Sequence, residues 1–285
     1  MTLDVRQRTD SASIEAQWFL AMAWPSIALP RVMDATHFGP TDWFGAWRTC
    51  VLACVGLCAL FGALSTYMHA FAWAAGTDAT SPQFARYWLS LLVGELACVG
   101  VGTVGWWAWL VRSGRSIPAS VTHSEEVYRI AVFWGLVGAT SVVLYFMASF
   151  FVNADGAWHQ TTVRDTAFTP PHIVMFYGAF PLGITMSVGT ALYGITRLTK
   201  IYPASSGFPW SFFLLIGASV TEMMQVALNE WGHSVTITEE IFSAPFHWPF
   251  VIYAWLGVAI FALWIETLVR LLSIEKGLAD LGTEG

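Results

Sequence analysis

Asp155 and His159 stand four apart, and His172 follows immediately after Pro170 and Pro171. On a helical turn an i, i+4 pair leaves the same face, so three ligand-type side chains converge here from two helix ends. The design recurs downstream: Asn229 and His233 are four apart, and His247 follows Pro245 and Phe246. The two patterns read Asp-x3-His-x12-His and Asn-x3-His-x13-His. Imidazoles with one oxygen donor make a transition-metal site. A two-His-one-carboxylate set suits non-haem iron with open positions, and imidazole suits copper or zinc equally. Residue types leave the metal open. The duller reading makes both groups hydrogen-bonded polar residues at helix ends, but ionisable residues at membrane depth are by default functional.

The two groups differ chemically. Asp155 is an anion and Asn229 a neutral, weak donor, so the first group is expected to hold a divalent ion better than the second. Trp158, Trp231 and Trp248 flank the ligands, where they either exclude water or mark the membrane interface, as Trp does for physical reasons alone. Glu95, Glu222 and Glu266 are carboxylates within apolar segments. Glu222 lies two helical turns before Asn229, which admits a proton-relay or ligand-orienting role, and interhelical pairing is expected for Glu95 and Glu266. His37 and Asp34, His69 and His123, and the Arg164–Asp165 pair are expected in or near solvated loops. Cys50, Cys54 and Cys58 follow i, i+4, i+8 spacing; a small-residue stripe for helix packing explains them better than thiolate ligation. No phosphate-binding glycine loop, haem CxxCH motif, GxSxG elbow or HExxH pair occurs, which disfavours an ATP-driven or hydrolytic machine.

The elements that must position these residues are membrane helices. With 16 Trp, 20 Phe and only 11% charged residues in 285, the chain is too apolar for a soluble domain, in which about a quarter of residues are charged. The net charge of −6 therefore says nothing about an acidic or basic partner, and nucleic-acid binding has no support. Six segments have spanning length: Thr49 to Tyr67, Trp88 to Val111, Ile130 to Phe151, His172 to Leu198, Phe212 to Leu228, and His247 to Leu272. The expected fold is an all-α integral membrane protein with six transmembrane helices and an N-terminal interfacial helix. Residues 1–43 form that surface segment, 44–276 the membrane domain with both ligand groups, and 277–285 a tail. The run Trp18 to Trp24 is too short to span; Arg6 and Arg8 before it would also suit a signal peptide, but a helix lying on the membrane fits better.

If the N-terminus is cytoplasmic, all 13 Lys and Arg except Arg86 and Arg164 fall on its side. So one-sided a bias fixes the orientation. Both ligand groups then lie at the outer ends of helices, in consecutive hairpins of the same orientation. That makes a weak internal repeat, unlike the inverted repeat of a transporter.

The segment from Asp155 through Trp158, His159, Arg164, Asp165, Pro170 and Pro171 to His172 resembles the C subunit of the copper membrane monooxygenases, the family of particulate methane and ammonia monooxygenase. Leu228-Asn229-Glu230-Trp231-Gly232-His233 with Pro245-Phe246-His247 resembles the family's second signature, and the likeness spans about residues 85 to 272. The resemblance implies one member of a trimer of heterotrimers with A and B subunits, in a bacterial plasma membrane, that uses copper, dioxygen and two electrons from a donor the sequence does not name. It places one copper on Asp155, His159 and His172 and another on Asn229, His233 and His247. Departures surround the ligands: Ala167 stands where the methane and ammonia enzymes carry an acid, Pro171 where they carry serine, and Met175 where they carry glutamate. The chain looks closer to the actinobacterial hydrocarbon monooxygenases, so short-chain hydrocarbons are the expected substrates, with methane or ammonia as the alternative. A different class also fits: a structural metal-binding subunit with catalysis elsewhere in the complex.

Overall fold

The computed structural model describes residues 40–117, 123–159, 168–199, 201–202, 209–235 and 257–273. Every regular element among these residues is helical, as expected of an all-α membrane protein. Helix α1 runs Pro40–Ala75 and α2 Pro82–Gly114. Helix α3 begins as His123–Tyr145, passes through a π-segment Phe146–Phe151 and ends as Val152–His159. Helix α4 runs Pro170–Arg197, α5 Trp210–Val235, and α6 covers 257–273. Four stretches are long and apolar enough to cross a membrane: Trp47–Ala75, Pro82–Gly114, Tyr128–Tyr145 and Pro170–Arg197. They match the first four expected spans, while α5 contributes a shorter apolar stretch, Trp210–Thr221. The expected surface helix before residue 40 and much of the sixth span lie outside the described residues. His69, expected near a loop, sits on α1, which continues past Tyr67 to Ala75.

Local chemistry sets the helix starts. Ser81 caps α2, its hydroxyl accepting the Phe84 N–H at 3.1 Å, with Pro82 at the first helical position, where a missing N–H costs nothing. Thr169 is extended ahead of Pro170, as a residue before proline prefers, so α4 starts afresh at the prolines. Glu125 and Glu126 sit in the first turn of α3, where acidic groups complement the helix dipole.

Helix α4 is the hub, packed against α2, α3 and α5. A hydroxyl pair links it to each: Thr185 to Thr103 of α2 at 2.6 Å, Thr190 to Thr140 of α3 at 3.2 Å, and Ser187 to Ser219 of α5 at 2.7 Å. Interhelical hydrogen bonds of this kind contribute about 0.6 kcal/mol each in a bilayer. Helices α1 and α3 pack through small residues. Cys50 presses on Gly135, where any Cβ would overlap the sulfur, and Cys54 lies beside Gly138. The cysteine stripe is thus a packing surface, as its spacing suggests, with Cys58 left exposed.

The two ends of the bundle differ in chemistry. At one, Arg197 is buried between the rings of Trp109 and Tyr193 and donates to the Leu110 carbonyl and the Ser113 hydroxyl. Arg129 donates to the Arg197 carbonyl at 3.1 Å, and Glu126 accepts the Ile201 N–H at 2.9 Å. Arg270 reaches the Ile201 carbonyl at 2.9 Å and pairs with Glu266 one turn earlier on its own helix. Glu266 is therefore paired within α6 rather than between helices. The opposite end holds an aromatic core that includes Phe61, Trp88, Phe151, Trp158 and Phe180, and the ligand-type residues lie there.

Candidate metal centre

The last turns of α3 meet the first turn of α4 at this second end. Asp155 Oδ1 lies 3.3 Å from His172 Nε2, with Asp155 1% and His172 4% exposed. Two donors bound to one ion at about 2.0–2.1 Å, at angles between square and tetrahedral, sit about 2.9–3.4 Å apart. The observed separation, which is also that of a direct carboxylate–imidazole contact, falls within this range. The donor types also suit copper, zinc or iron. His159, one turn after Asp155, ends the same helix, so the backbone brings all three positions of the first group to one helix junction. Among the residues whose side chains are described, no group of three His, Cys, Asp or Glu is assembled; the described part of this centre is the Asp155–His172 pair, and the His159 side chain lies outside the description.

The surroundings are dry and aromatic. Phe176 meets the His172 ring edge-on at 5.1 Å, and Met175 is fully buried. Trp158 is 3% exposed and stacks on Trp73 of α1 at 4.6 Å. Trp158 is itself buried by this contact, while Trp73 is half exposed. Trp73 was not legible as part of the site, because only the packing of α1 brings it there. Pro170 abuts Gly76 at the α1–α2 turn so closely that a Cβ there would overlap the proline ring. The first turn of α4 is thereby held against the end of α1.

The π-segments among the described residues, Ala85–Leu89, Phe146–Phe151 and Ile173–Ala179, all occur toward this end. Two of them directly border the ligand pair, one before Val152 and one after His172. Wider turns of this type recur at functional sites.

The second group is only partly described. Asn229 and His233 lie one turn apart near the end of α5. His247, with Ala167 and the Arg164–Asp165 pair, lies outside the described residues, and so does the side chain of Glu222.

The sequence profile of the family described as the C subunit of ammonia monooxygenase/methane monooxygenase matches residues 31–276. That interval contains both ligand groups and every described helix. No curated protein sequence matches the chain.

Proposed function

This chain belongs to the family of ammonia monooxygenase/methane monooxygenase C subunits, and from that premise we propose that it is a copper-carrying membrane component of an oxygenase that hydroxylates short-chain hydrocarbons. The observation that carries the reading is the buried Asp155–His172 pair, spaced as neighbouring ligands at the junction of α3 and α4. Asp155, His159 and His172 would hold one copper, and Asn229, His233 and His247 a second. Copper bound there would supply the binding and two-electron activation of dioxygen. The chain's own residues do the rest: Asp155 offers compensating negative charge, Phe176 fixes the His172 ring, and Trp158 stacked on Trp73 keeps water out. A dry site strengthens each of these electrostatic contacts.

The substrate preference rests on apolar surroundings. Met175 and Phe151 are fully buried in the core that borders the pair, so apolar side chains surround this side of the site. Methane or ammonia is the alternative within the same chemistry. A and B subunits in a trimer of heterotrimers, together with lipid, would cover the outward faces of α1 and α2, where Val51, Val55, Val93, Val101 and Val104 are more than half exposed. The separation of Arg129, Arg197 and Arg270 from the ligand pair supports a bacterial plasma-membrane orientation with a cytoplasmic N-terminus and an outward-facing metal centre.

A structural reading has its own support, since the pair joins the ends of two helices and would clamp them. A structural ion is closed off by protein donors, whereas a catalytic one keeps a position free.

Product analysis of the membrane complex fed ethane, butane, methane and ammonia, with and without copper, tests the proposal. Copper-dependent alcohol from ethane or butane is expected. Oxidation of ammonia or methane alone would move the substrate to the alternative, and no copper-dependent product from any of the four would leave the clamp.

A further inference from the structure

Glu95 occupies an unusual position for an acid. The buried seam of α2 runs Phe84, Trp88, Leu92, Glu95, and Glu95 is 9% exposed. Its carboxyl faces Gly178 of α4 so closely that a Cβ there would stand 2.7 Å from Oε1. Neither carboxyl oxygen has a hydrogen-bond partner among the described residues. The contrast with the rest of the α2–α4 seam is sharp. Farther along it Thr103 pairs with Thr185, Trp107 donates to the Thr185 carbonyl at 3.1 Å, and Arg197 is held by Leu110 and Ser113. The interhelical pairing expected for Glu95 from sequence is therefore not what the described helices provide.

Its place relative to the ligand pair is specific. Gly178 belongs to the π-segment Ile173–Ala179, which begins at the residue after His172. Gly178 lies six residues after His172, an axial offset of about 9 Å at the α-helical rise and less where the coil is wider. Of the groups on neighbouring elements, Tyr67 of α1 donates its hydroxyl to the Tyr87 carbonyl at 3.1 Å. Tyr177 of α4 stacks on Phe168, and Asp155 of α3 is engaged with His172. The guanidiniums of α2 and α4 are remote: Arg86 is exposed about two and a half turns away, and Arg112, Arg115 and Arg197 lie at the other end. Among the described residues no counter-charge stands beside this carboxyl; ionised there it would be costly, whereas the neutral acid is tolerated.

We propose that Glu95 is a proton-transfer station serving the Asp155–His172 pair, a positioning residue that holds a proton on its carboxyl, against Gly178, and exchanges it with water. This rests on the monooxygenase reading for its purpose. Inserting one oxygen atom of dioxygen into a C–H bond and releasing the other as water consumes two electrons and two protons. Glu95 gives a proton toward the water being formed and regains it from the aqueous phase, so the carboxyl is unchanged over a turnover. Gly178 is part of the device, because any side chain there would fill the space into which the carboxyl opens.

The test uses the complete membrane complex and two readouts. Infrared spectra of the resting wild-type complex, without substrate, are expected to show a protonated-carboxyl band that shifts in D2O and vanishes in E95Q. Absence of that band, or its failure to shift, overturns the proposal whatever the enzyme's substrate. In turnover, E95Q is expected to retain copper yet lose about 10²-fold or more in rate, a typical loss for a missing acid–base group, and E95D to recover part of it with a displaced pH profile. A purely packing role predicts the reverse order, with isosteric Gln tolerated and shorter Asp not. Wild-type rates in E95Q across the pH range overturn the proposal. If E95Q does not assemble, the pH profile of E95D decides, and superposition on wild type counts against a proton role. A normal infrared result in a wild-type complex without copper-dependent oxygenation would show that the monooxygenase reading, rather than the exchangeable acid, had failed.

Discussion

Asp155 Oδ1 and His172 Nε2 lie 3.3 Å apart across a helix junction that a double proline forces to restart. The carboxylate comes from the last turns of α3 and the imidazole from the first of α4, so the geometry of the pair depends on how two helix ends are held. Removing either side chain should lower copper retention by at least about tenfold, the scale already seen for perturbing ligand-orienting contacts. Metal analysis of purified complexes carrying Asp155→Ala or His172→Ala checks this, and unchanged copper in either would detach the pair from metal binding.

The two ligand groups should not be equivalent. An anionic donor holds a divalent ion more firmly than a neutral amide, so Asn229→Ala should remove less tightly bound copper than Asp155→Ala. Titration with a chelator before analysis separates the two populations; simultaneous loss at one chelator concentration would erase the distinction.

The cysteine stripe makes a packing prediction. Gly135→Ala should overlap Cys50 and destabilise the complex by about 1–3 kcal/mol, as overpacking does. Shortening the opposing residue with Cys50→Gly should recover most of the loss, and Cys50→Ala alone should leave copper content unchanged. Denaturation of the single and double variants in detergent reads the compensation.

Arg197 fastens the opposite end. Arg197→Met would remove the charge-assisted bonds to the Leu110 carbonyl and to the Ser113 and Thr196 hydroxyls, a loss of about 2–4 kcal/mol, seen as a lower unfolding midpoint. Copper content should be preserved in protein that still assembles, because the substitution is at the end remote from the ligand pair.

The α1–α2 turn is pH-sensitive in a defined direction. The Thr80 hydroxyl, with a smaller contribution from the Thr80 N–H, holds the Asp78 carboxyl below its ordinary value. A depressed acid adds stability above its unfolded value of about 3.9, and that contribution is lost as pH falls through the lower folded value. The protection factor of the Thr80 amide, its exchange relative to the intrinsic rate at each pH, should hold at neutral pH and fall only in strong acid. Asp78→Asn should show the lower protection at all pH values.

Much of this was legible in the sequence for one physical reason. In an apolar chain each ionisable residue is costly, so Asp155, His159 and His172 stand out as a group, and prolines mark where a helix must restart. Helix ends were less legible: His69 suggests that α1 stops near Tyr67, but the apolar run resumes at Ala70 and the helix continues to Ala75. Glu95 was read as a pairing residue because the approach of Gly178 depends on the register of α2 against α4, which no local pattern encodes. Glu266 shows the same limit in reverse: its partner Arg270 is one turn away, and an i, i+4 rule finds it where a hydropathy reading looks across helices.

The three hydroxyl bridges radiating from α4 leave it from different sides and at different heights. Twisting that rod about its own axis would sever all of them together, whereas a small tilt pivoting near Thr185 to Thr190 spares them. Any adjustment of His172 during turnover is thereby channelled into the wider-coiled stretch between it and the bridges, a built-in joint on an otherwise latched spindle.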